Sequence, residues 1–210
     1  MENKRETKRD ALRERLIKAA EGLIKERGLS GLKARDITTR AECALGALYT
    51  AVEDLSHLVV LVNSRTLSHL GQVLRSAVPK GATPEQTMHA LAQAYVQFAV
   101  NHTNLWSAIF NHRLPEGDEA PEWHQAEYAV LIQEIIAPLS VLRPDLDPEQ
   151  LRQRSQTLFA SVHGVIQLSI QGLYVGAPPE RLAEEVDALV EAMTRGIRLL
   201  ENKEMIGPQA

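Results

Sequence analysis

Apolar residues recur every three or four positions along almost the whole chain, and no segment shows the sustained alternation of a half-buried strand. In the first segment of this kind, Leu12, Leu16, Ala19 and Leu23 share one helical face. Aromatic residues make up only 4% of the sequence, so Leu, Ala, Val and Ile fill most of the apolar positions. These patterns predict an all-α chain of about nine helices.

Residues with capping preferences indicate where several of these helices begin and end. Gly28 predicts the end of a first helix over about 8–27, because glycine readily adopts the left-handed conformation that closes a helix. Asp54 predicts the start of a long helix over about 54–78, since its carboxylate can accept the free amides of a first turn.

Two residue pairs have the spacing of a capping box, in which two side chains and two backbone amides bond reciprocally. They are Thr83 with Gln86 and Asp147 with Gln150, and each pair predicts a helix start. A long loop is expected at 111–121. The other predicted segments are 34–41, 44–50, 83–102, 105–110, 122–142 with a bend near Pro138, 148–174 and 179–200.

Composition excludes several classes of protein. The longest apolar runs fall far short of the roughly 20 residues of a membrane span, and the charged start lacks the apolar segment of a secretory signal. The single cysteine, Cys43, excludes an intramolecular disulfide and a multi-cysteine metal site. We therefore expect a cytoplasmic protein with no membrane segment, no metal and no cofactor.

The net charge of −4 is unevenly distributed. Residues 1–60 hold 12 Lys and Arg against 10 Asp and Glu, whereas residues 61–210 hold 11 against 17. A basic end on an acidic body favours contact with nucleic acid, although a solvated helix surface gives the same pattern. Four of the basic residues lie at the very start: Lys4, Arg5, Lys8 and Arg9.

The stretch 28–58 contains two short predicted helices joined by a tight turn, after a longer helix, which is the order of a helix-turn-helix. Its residues resemble the motif of the TetR/AcrR family of transcriptional regulators, and the resemblance covers roughly residues 12–62. The matching residues are Ala19-Ala20, Gly28, Asp36-Ile37, Ala41, Leu45-Gly46-Ala47-Leu48-Tyr49 and Leu58.

This resemblance implies a helix-turn-helix DNA-binding domain over residues 1–53 and a helical ligand-binding and dimerisation domain over 54–204. It implies a homodimer that binds palindromic double-stranded operator DNA, with a small, largely apolar effector relieving repression. The sequence itself contains no constellation of catalytic residues, so we do not expect an enzyme.

The expected DNA contacts lie on the two short helices. Gly46 and Ala47 are small enough to let a helix approach base edges and thymine methyls. The Tyr49 hydroxyl suits a phosphate contact, although its ring also suits packing between helices. The full expected set is Lys33, Arg35, Thr38, Thr39, Arg40, Ala44, Leu45, Gly46, Ala47, Tyr49 and Thr50.

The chain departs from the family pattern at and after the turn. Glu42 and Cys43 stand where glycine and valine are usual, and Leu55 stands where a lysine is usual. Cys43 suits either a small apolar contact or a site of oxidation beside the recognition helix. The positions that usually hold aromatic residues or histidine after the tyrosine are Thr50, Ala51 and Val52.

No lysine or arginine occurs between Arg40 and Arg65. Because phosphate contacts supply most non-specific DNA affinity, we expect binding to depend on the cations before the turn and on those at the start of the chain. The alternative is a TetR-fold small-molecule-binding module with weakened or lost DNA binding.

The second part has a weaker resemblance to TetR ligand domains with a tryptophan-x-x-x-histidine-glycine signature, over 104–110 and 159–165. Aromatic residues at helical spacing also suit a plain core, and His163-Gly164 also suits close helix packing at a dimer contact. The residues that the resemblance implies for a ligand site are Trp106, Phe110, Tyr128, Phe159, His163 and Gln167.

The last two predicted helices, 148–174 and 179–200, suit assembly. The first is apolar over more than one face and the second has a single apolar stripe, a combination that fits a four-helix contact between two subunits. Packing within one domain gives the same pattern, so the expected homodimer leans on the family resemblance.

Overall fold

The computed structural model describes the backbone of residues 2–114, 121–173 and 175–205, and the side chains between 6 and 193 in these ranges except that of residue 125. Over these residues the chain is all-α, as predicted, with nine α-helices and a 3₁₀ turn at Leu29–Gly31. The helices are α1 (Glu2–Arg27), α2 (Ala34–Arg40), α3 (Leu45–Ala51), α4 (Leu55–Ala77), α5 (Pro84–Asn101), α6 (Thr103–Asn111), α7 (Glu122–Leu142), α8 (Pro148–Ile170) and α9 (Leu182–Met205).

Both predicted capping boxes are confirmed. Before α5, the Thr83 hydroxyl accepts from the Gln86 amide at 3.2 Å, and the Gln86 side chain accepts from the Thr83 amide at 2.9 Å. Before α8, Asp147 and Gln150 make the same reciprocal pair. Each box satisfies two amides that the first turn of a helix leaves free, which fixes where the helix begins.

The end of α1 is also fixed by capping. Gly28 follows the helix with φ +73° and ψ 174°, an extended conformation at positive φ that essentially only glycine adopts, and not the left-handed helical cap that was predicted. The Asn104 side chain on α6 donates to the Lys25 carbonyl at 3.0 Å, so one of the last carbonyls of α1 is satisfied from another helix. The predicted cap at Asp54 is confirmed, since its carboxylate accepts from the His57 amide at 2.6 Å.

Several predicted boundaries were wrong. α1 already begins at Glu2, because the polar residues before position 8 are good helix formers. α8 ends at Ile170, before the predicted 174, because Gly172 adopts φ +66° and ends the helical path. The segment predicted over 105–110 is the longer helix α6.

α9 begins at Leu182 and not at 179, because a tight turn precedes it: the Arg181 amide donates to the Pro178 carbonyl at 2.9 Å. Pro138 lies inside the continuous helix α7. Most of the predicted loop, 115–120, and residue 174 lie outside the described residues.

The chain packs as two compact units. The first unit comprises residues 1–69 and 102–127, and the second comprises 70–101 and 128–210, so α4 and α7 each contribute residues to both. These units are defined by which residues pack together, whereas the division predicted at residue 53 separates DNA binding from ligand binding and dimerisation. That division stays a prediction.

A stripe on α1 forms the centre of the first unit. Leu16, Ala20 and Ile24 follow one another at intervals of four residues, and none is exposed at all. Ile37 of α2 and Leu48 of α3 are equally buried in the same cluster. The two short helices are therefore held by apolar side chains on one face, which leaves their other faces to solvent.

In the second unit, α5 packs against α8 and α9. His89 of α5 adds a polar link to α9: its Nδ1 lies 2.6 Å from Asp187 Oδ1 and its Nε2 lies 3.0 Å from Glu191 Oε2. Burial opposes the charge on this ring, but hydrogen bonding and Coulombic attraction to the two carboxylates outweigh it and raise the pKa of His89 above its usual value.

Within the described residues, no single helix is long and apolar enough to cross a membrane. The pair Leu45–Ala51 and Leu55–Ala77, bent by 64°, reaches that length and composition only when its two members are counted together.

The His89 link predicts a pH-dependent stability. Because its pKa is raised on folding, its contribution to the free energy of unfolding is complete below pH 6.5 and declines as the pH rises through the raised value. We expect His89→Gln to lower the urea midpoint more at pH 5.5 than at pH 8.5. In an Asp187→Asn, Glu191→Gln background this difference should disappear, and a loss that is equal at both pH values would contradict the assignment.

Candidate functional site

One face of α3 is open to solvent. Leu48 is fully buried beneath it, whereas Leu45 is 41% exposed and Tyr49 is 54% exposed. Gly46 lies between them, and a Cβ placed there would have no neighbour within 4 Å. The exposed face carries apolar and hydroxyl groups and no charge, so it suits apolar contacts more than phosphate contacts.

The remaining residues of the expected DNA-binding set differ in exposure. Thr38 is 5% exposed and its hydroxyl donates to the Arg35 carbonyl at 3.0 Å, so it packs beneath the surface instead of lying on it. Ala47 is half-buried. The hydroxyl of Thr50 donates to the Gly46 carbonyl at 3.0 Å, which leaves it acceptor capacity. The other members are exposed: Lys33, Arg35, Thr39, Arg40 and Ala44.

Arg40 is held in place by α1. Its guanidinium donates to both carboxylate oxygens of Glu26, each at 2.8 Å. It passes so close over Gly22 that a Cβ there would lie 2.7 Å from Arg40 Nη1. Arg40 therefore links the end of α2 to α1 through its Nη2, and the pair with Glu26 competes with a phosphate for this half-exposed guanidinium.

The turn between α2 and α3 contains a strained residue. Glu42 has φ +51°, the one positive value among the described residues other than glycine. The amides of Glu42 and Cys43 nevertheless bond to the Thr39 and Thr38 carbonyls at 3.2 Å and 3.0 Å, so the turn keeps its geometry. Cys43 is partly buried against the core of the first unit.

The first four basic residues lie on α1 and not on a separate arm. Lys8 and Arg9 are exposed, and the side chains of Lys4 and Arg5 lie outside the described residues. Further along α1, Arg15 and Lys18 form an open cleft with Arg40 and Glu42. The first unit therefore carries exposed cations on α1 and α2 and none on α3.

The second unit contains a cavity of about 60 Å³, where one water needs roughly 10–15 Å³. Five helices line it, and almost all of its wall is apolar. Its volume fits a compact ligand, and the flexible methionines at the wall give it room to adapt. The lining residues are Leu74, Met88, Leu91, Ala92, Tyr95, Leu131, Glu134, Ile135, Leu158, Phe159, Val162, Val190 and Met193.

A short polar chain lies at one side of this cavity. The Tyr95 hydroxyl and His163 Nδ1 are 2.9 Å apart, and the His163 ring stacks on Phe159 at 5.6 Å between centroids. Burial lowers the pKa of His163, which keeps the ring neutral at pH 7 and able to hydrogen-bond with Tyr95. The cavity thus has an apolar interior with a few fixed polar groups, as small-molecule sites usually do.

The six residues expected at a ligand site are not all at this cavity. Phe159 lines it, and His163 lies behind Phe159. Tyr128 and Gln167 belong to the same unit without lining the cavity. Trp106 and Phe110 belong to the first unit, where their rings are 5.5 Å apart and Trp106 is fully buried.

Most of the cavity wall has no signature in the sequence, because its leucines, valines and methionines follow the same periodicity as a solid core. Glu134 is the exception. It interrupts the apolar run of α7 between Leu131 and Ile135, and an acidic residue in such a position was the signal that could have indicated the cavity.

A family model for the tetracyclin repressor-like C-terminal domain matches residues 88–195, just over half of the chain. The chain belongs to the TetR family. Regulators of this family are transcription factors and not enzymes, in agreement with the sequence. No curated protein sequence matches the chain.

Among the described residues of this TetR-family protein, no three His, Cys, Asp or Glu side chains are grouped so as to hold a metal ion.

Solved structures show the same TetR fold. A protein of unknown function from Rhodococcus sp. RHA1 is 24% identical, with a TM-score of 0.71 over 88% of this chain and 94% of that one. RolR in complex with resorcinol is 20% identical, with a TM-score of 0.65 over 91% and 94%. FadR from Bacillus subtilis in complex with stearoyl-CoA is 13% identical, with a TM-score of 0.66 over 84% and 96%. At these identities the likeness concerns the fold.

The strain at Glu42 predicts a stabilising substitution in this TetR-family turn. Glu42→Gly should raise the free energy of unfolding by about 1 kcal/mol, because glycine adopts a left-handed conformation without the steric cost of a Cβ. Urea denaturation measures the change. Glu42→Gln keeps the strain and removes the charge, so it should have no effect, and an equal gain in both variants would make the charge the cause.

Proposed function

We propose that the protein is a ligand-responsive transcriptional repressor that binds palindromic operator DNA as a homodimer in the cytoplasm. The observation that carries the proposal is the exposed face of α3, a helix that is anchored on its opposite side by the fully buried Leu48. A short helix held rigidly in this way suits insertion into the major groove. The cavity of the second unit supplies a site for the effector.

On this proposal α3 contacts the bases and α2 contacts the phosphates. Leu45 and Tyr49 would read bases through apolar contacts, for which the thymine methyl is the natural partner in the major groove. Lys33 and Arg35, exposed at the start of α2, would contact phosphates. Lys8 and Arg9 on α1 would add to them and make binding strongly salt-dependent.

The effector is expected to be small and largely apolar. Of the thirteen residues at the cavity wall, Glu134 and Tyr95 have ionisable side chains and the other eleven are apolar. Helix α4 is the natural route of coupling. Its Leu74 lines the cavity, whereas its Leu58 and Val62 belong to the core of the first unit. A ligand that binds better to one position of α4 would shift the population of DNA-binding states.

Dimerisation through α8 and α9 would place two recognition helices on one operator, about 34–36 Å apart for half-sites one helical turn apart. Exposed apolar side chains at the end of α8 and beyond it support this part of the proposal. Leu168 is 37% exposed, Leu173 is 47% exposed and Val175 is 75% exposed.

The absence of a cation from the described α3 favours one competing function. A TetR-fold protein that binds small molecules and has lost operator binding would also keep the cavity and the fold. Sequence-selective DNA binding separates the two functions.

Fluorescence anisotropy of the purified protein with the intergenic DNA beside its own gene, titrated with salt, tests the proposal. We expect selective binding over a shuffled duplex. If the folded protein shows no selective binding even at low salt, that result would favour the competing function.

The same titration tests the role of α1. Lys8→Gln should reduce the slope of log affinity against log salt by about 0.9, the value for one lost phosphate contact. Lys80→Gln removes an exposed lysine from the turn before α5 and serves as the matched control, with an unchanged slope. Equal slopes for the wild-type protein and Lys8→Gln would remove α1 from the interface.

A further inference from the structure

Glu134 has an unusual environment for a surface-helix glutamate. It is the one carboxylate at the wall of the cavity, and its side chain is 25% exposed. Its neighbours along the wall include Leu131 and Ile135 on its own helix and Leu74 on α4. A carboxylate in such surroundings is stabilised only if hydrogen-bond donors satisfy its oxygens.

The described residues offer this carboxylate little. Arg75 Nη1 approaches Glu134 Oε1 at 3.4 Å, which is long for a charged pair that normally lies at 2.7–2.9 Å. The Arg75 side chain is 52% exposed, so water competes strongly for its guanidinium. A carboxylate accepts about four hydrogen bonds, and this one has a single weak partner on the solvent side.

The second polar group at the wall is already engaged. The Tyr95 hydroxyl is 2.9 Å from His163 Nδ1, and its ring packs against Phe159 at 5.4 Å between centroids. A ligand in the cavity therefore meets apolar side chains and one acidic acceptor that is short of donors.

We propose that Glu134 is a ligand-binding residue, and that the cavity takes a compact apolar molecule bearing one protonated amine. This inference rests on the proposed ligand-sensing function and names the chemical class of its effector. The ammonium group would donate to the free oxygen of Glu134, and the apolar body would lie among Met88, Leu91 and Val162. A charge-assisted bond beside a largely apolar wall is stronger than the more exposed one with Arg75.

An anionic ligand fits this wall poorly. Its carboxylate would lie beside that of Glu134 at a largely apolar wall, where like charges repel more strongly than on an open surface. Only a movement of Arg75 into the cavity would reverse this preference. The volume of about 60 Å³ is smaller than the roughly 150 Å³ of a cavity that binds benzene, so a ring with a short chain fits only when Met88 and Met193 change rotamer.

Calorimetric titration with three probes of similar shape tests the proposal: 2-phenylethylamine, 2-phenylethanol and 3-phenylpropionate at pH 7. We expect the amine to bind about 10-fold to 100-fold more tightly than the alcohol, as one charge-assisted hydrogen bond predicts, and the carboxylate to bind most weakly. Glu134→Gln should lower the amine affinity by the same factor and leave the alcohol nearly unchanged.

Two further variants separate Glu134 from its surroundings. Arg75→Gln removes the competing cation, so it should raise the amine affinity. Glu184→Gln neutralises an exposed glutamate on α9 and is the matched control, with all three affinities unchanged. Equal amine and alcohol affinities, or tightest binding of the carboxylate with its loss in Arg75→Gln, would overturn the proposal.

A cavity-filling variant distinguishes this inference from the proposed function. Ala92→Phe places a ring in the cavity and should abolish binding of the amine. If the three probes bind equally and Ala92→Phe abolishes them all, the cavity is a ligand site and Glu134 does not select the ligand. If none of them binds, the amine class is wrong. Operator binding is tested separately, by the anisotropy titration, and does not depend on this result.

Discussion

The buried stripe of α1 is the constraint on which the rest of the first unit depends. Leu16, Ala20 and Ile24 have no exposed surface, and Ile37 and Leu48 complete the same cluster from α2 and α3. Helices of only seven residues are marginal in isolation, so α2 and α3 owe their positions to this contact. Because this contact buries Leu48 on one side of α3, the opposite side with Leu45 and Tyr49 is open to solvent.

The sequence predicted those parts of the fold that local chemistry determines. The helix starts at Thr83 and Asp147 were predicted correctly, because each capping box involves residues three apart. The end of α8 and the start of α9 were not, because they depend on the conformations of Gly172 and of the turn at Pro178, which no periodicity reveals.

In the candidate sites, too, features set by local sequence could be predicted, and contacts between distant positions could not. Motif matching predicted the short helix that the structure has at α3, whereas the bond between Arg40 and Glu26 across Gly22 joins distant positions and could not be predicted. The cavity was hidden apart from Glu134, because its other lining residues have the pattern of a core. Trp106 illustrates the limit: an aromatic residue at helical spacing is compatible with a ligand site, yet the structure buries it in the first unit.

Selection of bound sequences from a random duplex library tests the central claim, that the exposed face of α3 reads operator DNA. We expect enrichment of an inverted repeat whose half-sites are spaced by one helical turn or a multiple of it. The double variant Leu45→Ala, Tyr49→Ala should lose the motif while the protein remains folded. Failure of the folded wild-type protein to enrich any motif would mean that α3 does not read operator DNA, and would leave a ligand-binding module without operator function.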